Sequence, residues 1–165
     1  MATKDLAQGI HTQGTGSAAI QGTVAAGIAA VCADMSGAAQ AAFDLAMDYL
    51  RTRKQFGRLI GENQALRHRA SEMLVSLEMA RSMAMAAAVA ADDASAEDSA
   101  PDLHRAKLSV ARNARNVALG AIQLHGGIGM TEEYAVGHYL RRIHVLDQMF
   151  GDADAHAARL AAALL

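Results

Sequence analysis

One stretch of the chain carries residue types suited to holding an anionic group. Residues Gln123–Met130, with the sequence QLHGGIGM, close a long helical pattern with a histidine and three glycines. Glycines just past a helix end adopt left-handed backbone conformations that a side chain would penalise. They also leave bare backbone N–H groups that a phosphate can approach closely. The alternative interpretation of the same residues is a helix cap and turn without a ligand.

A second polar stretch lies far upstream, between two helical patterns. Residues Arg51–Gly61, which begin with the sequence RTRKQFGR, form a basic connection punctuated by glycines. Taken alone, Arg53 is a solvated linker charge and Phe56 a plug in the hydrophobic core. Neither stretch by itself assigns a function.

The bulk composition bounds the class of protein. The chain has 165 residues, of which 52% are hydrophobic and 19% charged, with a net charge of −2, which predicts one globular domain. The cationic residues are spread out, so we expect no nucleic-acid surface. The single cysteine, Cys32, fits a reducing compartment and a small buried hydrophobic position. No apolar run approaches the roughly twenty residues of a membrane span, so we expect no membrane partner and a soluble, cytoplasmic protein.

Hydrophobic periodicity predicts an all-α fold. We expect a flexible lead-in over residues 1–18 and a helical bundle domain over residues 19–165. The first helical pattern runs from about Ile20 to Thr52, with apolar residues at three- and four-residue steps, namely Ile28, Val31, Met35, Ala39, Ala42, Ala46 and Tyr49. The second pattern has the spacing of a bundle seam, with Leu66, Ala70, Met73, Leu77, Ala80, Ala84, Ala87 and Ala91. The third has Leu103, Ala106, Val110, Ala114, Val117, Ala121 and Leu124 on one face, and Lys107, Arg112 and Arg115 on others.

A split fourth helical region completes the prediction. Thr131, with a glutamate nearby, can start a helix, and residues 134–149 read as helical up to the break at Gly151. Asp152 then caps a last helix that runs to Leu165. Three long helices and a split fourth predict an antiparallel, up-down-up-down four-helix bundle.

Several chemistries are missing from the sequence. A di-metal bundle needs a carboxylate three residues before a histidine, a spacing that occurs nowhere in the chain, so no metal site is predicted. The glycines of residues 126–129 do not form the Gly-x-Gly-x-x-Gly fingerprint, and they follow a helix rather than a strand. This excludes a Rossmann dinucleotide site. No Walker motif or serine nucleophile elbow is present.

The two polar stretches together resemble one known family. Residues 49–57 (YLRTRKQFG), followed by Gln64-Ala65, are similar to the helix-loop-helix signature of flavin-dependent acyl-CoA dehydrogenases. Residues 123–130, continuing to Arg142, are similar to that family's second signature. Both occur in the family order, and the likeness extends from Ile20 onward. The closing residues 148–154 (QMFGDAD) resemble the small-subunit branch typified by pimeloyl-CoA dehydrogenase.

The resemblance implies a location and a cofactor. It corresponds to the family's C-terminal four-helix bundle, which contributes to the FAD site and to the contacts between subunits. It implies that Arg53 and Phe56 meet the diphosphate and adenine region of FAD in a neighbouring subunit, with Gln64 nearby. It further implies that Gln123 and the backbone of Gly126 and Gly127 approach the adenosine diphosphate portion. Guanidinium groups and bare glycine N–H groups are suitable partners for diphosphate oxygens.

The resemblance leaves the catalytic base unassigned. The family's base is a glutamate at one of two places, which correspond here to Phe150 and to the neighbourhood of Gly27. Neither place holds a glutamate. The nearest carboxylates, Asp34, Asp147 and Asp152, offer no ground for assigning the role.

Three functions therefore remain open. The preferred one is the C-terminal domain of an acyl-CoA dehydrogenase, an oxidoreductase that removes an α-proton from an acyl-CoA and passes a β-hydride to FAD. This chain alone is expected to be inactive, and to assemble as a homo-oligomer (dimer or tetramer). The second is a non-catalytic partner that forms a hetero-oligomer with a full-length subunit. The third is a cofactor-free helical self-association module, which would be indifferent to FAD.

Overall fold

The computed structural model describes residues 15–92 and 99–164. Its helices are α1 (Thr15–Thr52), α2 (Gln64–Asp92), α3 (Ser99–His125), α4 (Val136–Gln148) and α5 (Ala153–Ala162). Two short strands, β1 (Lys54–Gln55) and β2 (Arg58–Leu59), and 3-10 turns at Ile60–Glu62 and Gly126–Met130 lie between them. The predicted all-α four-helix bundle, with a split fourth helical region, is confirmed.

The bundle core is built mainly from small side chains. The first three helices pack on one another, α4 packs on both α1 and α3, and α5 packs on α3. Most of the predicted core positions are buried, and the fully buried ones include Met35, Ala39, Ala42, Ala46, Ala80, Ala87, Ala106, Val110, Ala114, Val117 and Ala121. Because alanine is short, the facing helices approach closely enough to exclude water without large side chains. Cys32 is fully buried as predicted, and burial raises the pKa of its thiol to about 11.

Helix α1 is longer than its apolar pattern predicts. It begins at Thr15 rather than near Ile20, so residues 15–18 of the predicted lead-in are helical. Residues 1–14 of that lead-in lie outside the described residues. Gly27 and Gly37 do not interrupt the helix, since packing of a long face outweighs a modest loss of propensity.

The connection between α1 and α2 contains a feature absent from the all-helical prediction. Strands β1 and β2 form a tight antiparallel hairpin in which Lys54 pairs with Leu59 and Gln55 with Arg58. Phe56 and Gly57 form its two-residue turn, with φ angles of +53° and +78°. Two consecutive positive φ angles are typical of the turn type that matches the twist of a hairpin.

The start of α4 differs from the prediction. The helix begins at Val136, and Thr131 does not cap it. The Thr131 hydroxyl instead donates to Ile128 O at 2.9 Å, which closes the preceding 3-10 turn. At the next junction the prediction is confirmed, because Asp152 Oδ1 accepts a hydrogen bond from Ala155 N at 2.8 Å and caps α5.

By length and hydropathy, two helices of the described residues could cross a membrane. They cover Gly16–Thr52 and Gln64–Asp92. Long core helices of a bundle pass the same test.

Candidate functional site

The two signature stretches lie at the same end of the bundle. The ring of Tyr49, in the last turn of α1, stacks on the ring of His125, the last residue of α3, with centroids 4.5 Å apart and an angle of 28° between the planes. His125 is buried, and its Nδ1 lies 2.7 Å from Ala121 O. On its other side its Nε2 lies 3.2 Å from the Tyr134 hydroxyl. His125 therefore ties the glycine turn to the end of α1.

The predicted cofactor residues of the first stretch are open to solvent. Arg53 directly follows α1, where its N–H donates to Tyr49 O at 2.9 Å. Within the described residues, its guanidinium has no hydrogen-bond or ion-pair partner, whereas the neighbouring Arg58 donates to Asn63 Oδ1 at 2.5 Å. Gln64 is exposed at the first residue of α2. This end of the molecule thus presents an unpaired cation beside an open helix start.

Phe56 contradicts the interpretation of a core plug. Its side chain is 100% exposed, and its φ of +53° is unfavourable for an aromatic residue. A large apolar ring in full contact with water, on a strained backbone, does not stabilise the fold of this chain. Its geometry suits a face that is covered by something outside the described chain.

The glycine turn combines open and crowded positions. Gly126 has a φ of +66°, which confirms the predicted left-handed conformation at the end of α3. A Cβ atom built on Gly126 or Gly127 would meet nothing within 4 Å, so their backbone remains accessible. Gly129 is different, because a Cβ there would lie 2.9 Å from Ile122 O and 3.0 Å from His125 Cβ. Gly126 and Gly127 thus allow an approach from outside, while Gly129 allows close internal packing.

One cleft lies beside these residues and not among them. A groove of about 490 Å³ opens between the hairpin and α2, lined by Leu50, Arg51, Leu59 and Arg67 among others. The candidates Arg53, Phe56, Gln123 and the two open glycines do not line it. Gln123 is exposed on the last turn of α3. The described chain brings the candidates to one end but does not enclose a pocket with them.

At the opposite end of the bundle, the two places considered for a catalytic base meet. The ring of Phe150 packs directly on Gly27 of α1, so a Cβ atom added to Gly27 would lie 2.9 Å from ring atoms Cε1 and Cε2. Phe150 has a φ of +62° and is 40% exposed. The spot is therefore filled by an aromatic ring against a bare α-carbon, and it offers no group that can accept a proton.

The three nearest carboxylates all have structural partners. Asp34 accepts from the Arg142 guanidinium. Asp152 caps α5. Asp147 pairs with Lys107 at 3.4 Å. None of them is free to act as the unassigned base.

For Lys107 the sequence interpretation was wrong. It was assigned to a face other than the buried one, yet its side chain is fully buried. Its Nζ donates to Asp147 O at 2.8 Å and to Gly151 O at 3.3 Å. A lysine among helix-face alanines gives no sequence signal of burial, because its partners, two backbone carbonyls and the Asp147 carboxylate, are distant in sequence. Lys107 thus holds the α4–α5 turn that carries Phe150.

Comparison with known proteins agrees with this architecture. The family described as "Acyl-CoA dehydrogenase, C-terminal domain" matches residues 14–165. The curated acyl-CoA dehydrogenase IpdE2 of Mycolicibacterium smegmatis is 33% identical over 132 residues, which cover 80% of this chain and 40% of that protein.

Solved structures give the same result. Butyryl-CoA dehydrogenase from Megasphaera elsdenii superposes with a TM-score of 0.77 at 27% identity, covering 87% of this chain and 37% of that one. A structure of PigA with FAD and proline superposes with a TM-score of 0.74 at 25% identity, covering 86% of this chain and 36% of that one. The chain spans about two fifths of the length of these proteins. It belongs to the acyl-CoA dehydrogenase family, of which it contains the C-terminal helical domain.

Proposed function

We propose that this chain serves as the C-terminal domain of a flavin-dependent acyl-CoA dehydrogenase and contributes part of an FAD site shared between subunits. Such an enzyme dehydrogenates the α,β-bond of an acyl-CoA, a reaction of fatty acid metabolism. The observation that carries the proposal is the Tyr49–His125 stack, which holds both signature stretches at one end of the bundle. The cytoplasm remains the proposed location.

The residues at this end fit the diphosphate portion of FAD. Arg53 offers an unpaired guanidinium that can form two parallel hydrogen bonds with phosphate oxygens. Gly126 and Gly127 offer backbone that no side chain shields, so that N–H groups can reach an anion. Gln123 and Gln64 offer exposed amides, which can hydrogen-bond the adenosine portion.

Phe56 supplies the remaining type of contact. An exposed aromatic ring stacks on a flat heterocycle such as adenine at little conformational cost. When bound, FAD supplies the hydride acceptor of the reaction. The residues of this chain only bind and orient its adenosine diphosphate end, and the candidates do not line a closed pocket. We therefore propose that a second subunit completes the site.

The chain is proposed to be inactive alone. A carboxylate base must lie within hydrogen-bond reach of the proton it removes. The Gly27–Phe150 contact fills the place where that base was sought, and the neighbouring carboxylates are engaged elsewhere. This contact also favours a second candidate function, a non-catalytic partner of a full-length subunit in a hetero-oligomer.

Calorimetric titration with FAD tests the proposal. The purified chain is titrated alone and mixed with a full-length acyl-CoA dehydrogenase subunit, as wild type, Arg53→Ala and Arg105→Ala. Arg105 is a matched control, because it is an exposed arginine near the start of α3 that pairs with Asp102. We expect FAD to bind only in the mixture. We expect Arg53→Ala to abolish this binding and Arg105→Ala to retain it. Absence of binding in both samples, or equal binding by both variants, would overturn it in favour of a cofactor-free module.

A further inference from the structure

Helix α5 is attached to the bundle mainly through one side chain. Of its ten residues, all of which the structure describes, His156 alone is buried, and it is fully buried. The helix packs on α3, whereas α1, α2 and α3 pack extensively on one another. A further link is the ion pair between Arg112 of α3 and Asp154, whose atoms lie 3.4 Å apart on an exposed surface, where such a pair contributes little. The attachment of α5 therefore depends on the state of His156.

The ring of His156 has a partner on one side and none on the other. Its Nδ1 lies 2.9 Å from Nδ1 of His104 on α3. Its Nε2 is buried and has no hydrogen-bond partner among the described residues. When both rings are neutral, Nδ1 of His156 can donate to Nδ1 of His104, and Nε2 of His156 then carries no hydrogen. The neutral pair thus forms one hydrogen bond without burying an unpaired N–H group.

A proton added to this pair finds no such arrangement. If His104 takes the proton, Nδ1 of His156 must accept its hydrogen bond, so the hydrogen of His156 moves to Nε2. If His156 takes the proton, both of its nitrogens carry a hydrogen. In both cases a buried N–H group is left without an acceptor, which costs free energy. The geometry by itself disfavours a charged pair in the folded protein.

The charges around the pair act in the same direction. Burial is the largest cause that lowers the pKa of His156 to about 4, followed by His104, Lys107 of α3 and Arg159 of α5, while the backbone of Phe150 acts in the opposite direction. Burial and Arg159 also lower the pKa of His104. The surroundings of the pair are therefore electropositive.

The neighbouring elements offer the pair no free carboxylate. The carboxylates of α3, α4 and α5 form ion pairs with other residues, and these are Asp102 with Arg105, Asp147 with Lys107, and Asp154 with Arg112. Asp152 accepts from the backbone of α5. From α1, the groove beside His104 presents the uncharged residues Ile20, Gln21 and Val24. A charged pair would have no counter-ion among the described residues.

The turn between α4 and α5 depends on the same helix. A Cβ atom added to Gly151 would lie 3.5 to 3.6 Å from side-chain atoms of Ala155, His156 and Arg159, all of which belong to α5. The φ angles of Phe150 and Gly151 are +62° and +101°. An aromatic residue in this conformation is strained, and it persists only while the surrounding structure holds it. Loss of α5 would therefore free the turn and the ring of Phe150.

We propose that the His104–His156 pair is an acid-sensitive latch, which on taking up a proton releases α5 and the α4–α5 turn while α1, α2 and α3 stay packed. Phe150 then leaves Gly27, and the bare α-carbon of Gly27 becomes accessible. Because both pKa values are lowered in the folded state, the latch is closed above pH 6.5 and opens as the pH falls from 6.5 towards 4. The latch goes beyond the proposed function and does not depend on flavin binding.

Hydrogen exchange measures the release directly. Amide exchange of the full chain is followed by mass spectrometry between about pH 7.5 and pH 4.5 and corrected for the pH dependence of intrinsic exchange. The opening constant of α5 should rise about tenfold for each pH unit below 6.5, because opening is coupled to the uptake of a proton. The opening constants of α2 should not change. An α5 without this rise, or an α2 that opens in parallel with α5, would overturn the proposal.

Substitution of both rings tests whether the pair is the cause. His104→Gln/His156→Gln keeps side chains that can hydrogen-bond each other but cannot titrate, and should make the opening of α5 independent of pH. The matched control is His68→Gln/His144→Gln, which removes two exposed histidines and should keep the tenfold rise. Asp152 and Asp154 remain in the first variant, so a rise that persists there would assign the release to carboxylates and overturn the latch. Circular dichroism checks the helix content of both variants.

The ring of Phe150 follows the turn in the unaltered protein. The chain has three phenylalanines, Phe43, Phe56 and Phe150, so labelling their rings with carbon-13 gives a simple NMR spectrum. Phe56 is fully exposed and marks the position of a free ring, while Phe43 packs against the core and serves as the control for the bundle. On acidification the resonances of Phe150 should move towards those of Phe56, and those of Phe43 should stay. Unchanged Phe150 resonances when α5 opens, or a joint shift of Phe43 and Phe150, would overturn the latch.

Discussion

The rings of Tyr49 and His125 are stacked with their centroids 4.5 Å apart, and this contact joins the end of α1 to the end of α3. His125 also lies against Tyr134, with ring centroids 4.8 Å apart, so that it is held between two tyrosines. One buried imidazole therefore fixes both candidate cofactor stretches relative to each other. Its effect on the site is positional, because it is buried behind the exposed residues.

Removing this imidazole should loosen the whole end of the bundle. His125→Ala deletes two ring contacts and a buried hydrogen bond to Ala121 O, and should lower the free energy of unfolding by about 2–4 kcal/mol. His125→Phe keeps the stacking and should lose less. Urea titration followed by circular dichroism measures both. His68→Ala, on the exposed side of α2, is the control, and an equal loss in the control would contradict the role assigned to His125.

A substitution in the hairpin turn should raise the stability of the protein while it weakens ligand binding. Phe56→Asn replaces a fully exposed ring at a φ of +53° by a residue that tolerates this conformation, and should raise the free energy of unfolding by about 0.5–1 kcal/mol. Gly57→Ala, at a φ of +78°, should lower it by about 1 kcal/mol. Thermal unfolding monitors both. We expect Phe56→Asn to weaken FAD binding in the mixed sample, and a Phe56→Asn protein that binds FAD as the wild type does would exclude ring stacking.

The contact between Gly27 and Phe150 predicts opposite effects of the same substitution at two places in α1. Gly27→Ala forces a methyl group into the Phe150 ring and should destabilise the protein by about 1–3 kcal/mol. Gly37→Ala meets nothing within 4 Å and should stabilise it by about 0.5–1 kcal/mol through helix propensity.

A double-mutant cycle isolates the ring contact. The cost of Gly27→Ala should largely vanish in a Phe150→Ala background, because the methyl group then has room. Additive unfolding energies in urea would show that the two residues are not coupled.

Phe150→Glu tests a different point, since it introduces a carboxylate at the place where the base is missing. A faster dehydrogenation of an acyl-CoA in the mixed sample with this variant than with the wild-type chain would show that the missing carboxylate limits the activity.

The stability of α5 should depend on pH through a pair of histidines, the buried His156 and the half-buried His104. Nδ1 of His104 and Nδ1 of His156 lie 2.9 Å apart, so one ring must donate and the other accept. Burial, followed by the proximity of His104, Lys107 and Arg159, lowers the pKa of His156 from 6.5 to about 4. Burial and Arg159 also lower the pKa of His104. The folded state therefore prefers both rings uncharged.

The sign of the pH effect follows from these shifts. Stability from the neutral pair is fully present above pH 6.5 and is lost as the pH falls from 6.5 towards 4, by roughly 2 kcal/mol. His156→Gln removes a titrating ring and should flatten this part of the profile, whereas His68→Gln, on an exposed surface, should leave it unchanged. Urea midpoints between pH 8 and pH 4 provide the measurement. A wild-type stability that rises on acidification would refute this account of the pair.

The parts of the structure that were predictable depend on local patterns. Runs such as Met35, Ala39, Ala42 and Ala46 fix a helix and its buried face, because every third or fourth side chain points the same way. Asp152 predicts the start of α5, since a carboxylate before a helix accepts a hydrogen bond from a free backbone N–H. The same rule predicted a helix start at Thr131, and this prediction was wrong, because the Thr131 hydroxyl donates to a carbonyl of the preceding turn. Local patterns identify the side chains that can form a hydrogen bond. They do not determine which of two available partners each side chain takes in the folded protein.

By itself, the sequence determined the helical class, the family and the two signature stretches, since each of these depends on residue type and spacing along the chain. Only the tertiary structure decided that Lys107 is buried, that Phe56 is fully exposed and that Phe150 covers Gly27. Each of these outcomes depends on contacts between residues far apart in the chain, or on the absence of any such contact. The Asp147 carboxylate and the backbone carbonyls of Asp147 and Gly151 compensate the ammonium of Lys107. No element of the described chain reaches the hairpin tip. Burial depends on where the helices pack against each other, so the spacing of residues along a single helix does not predict it.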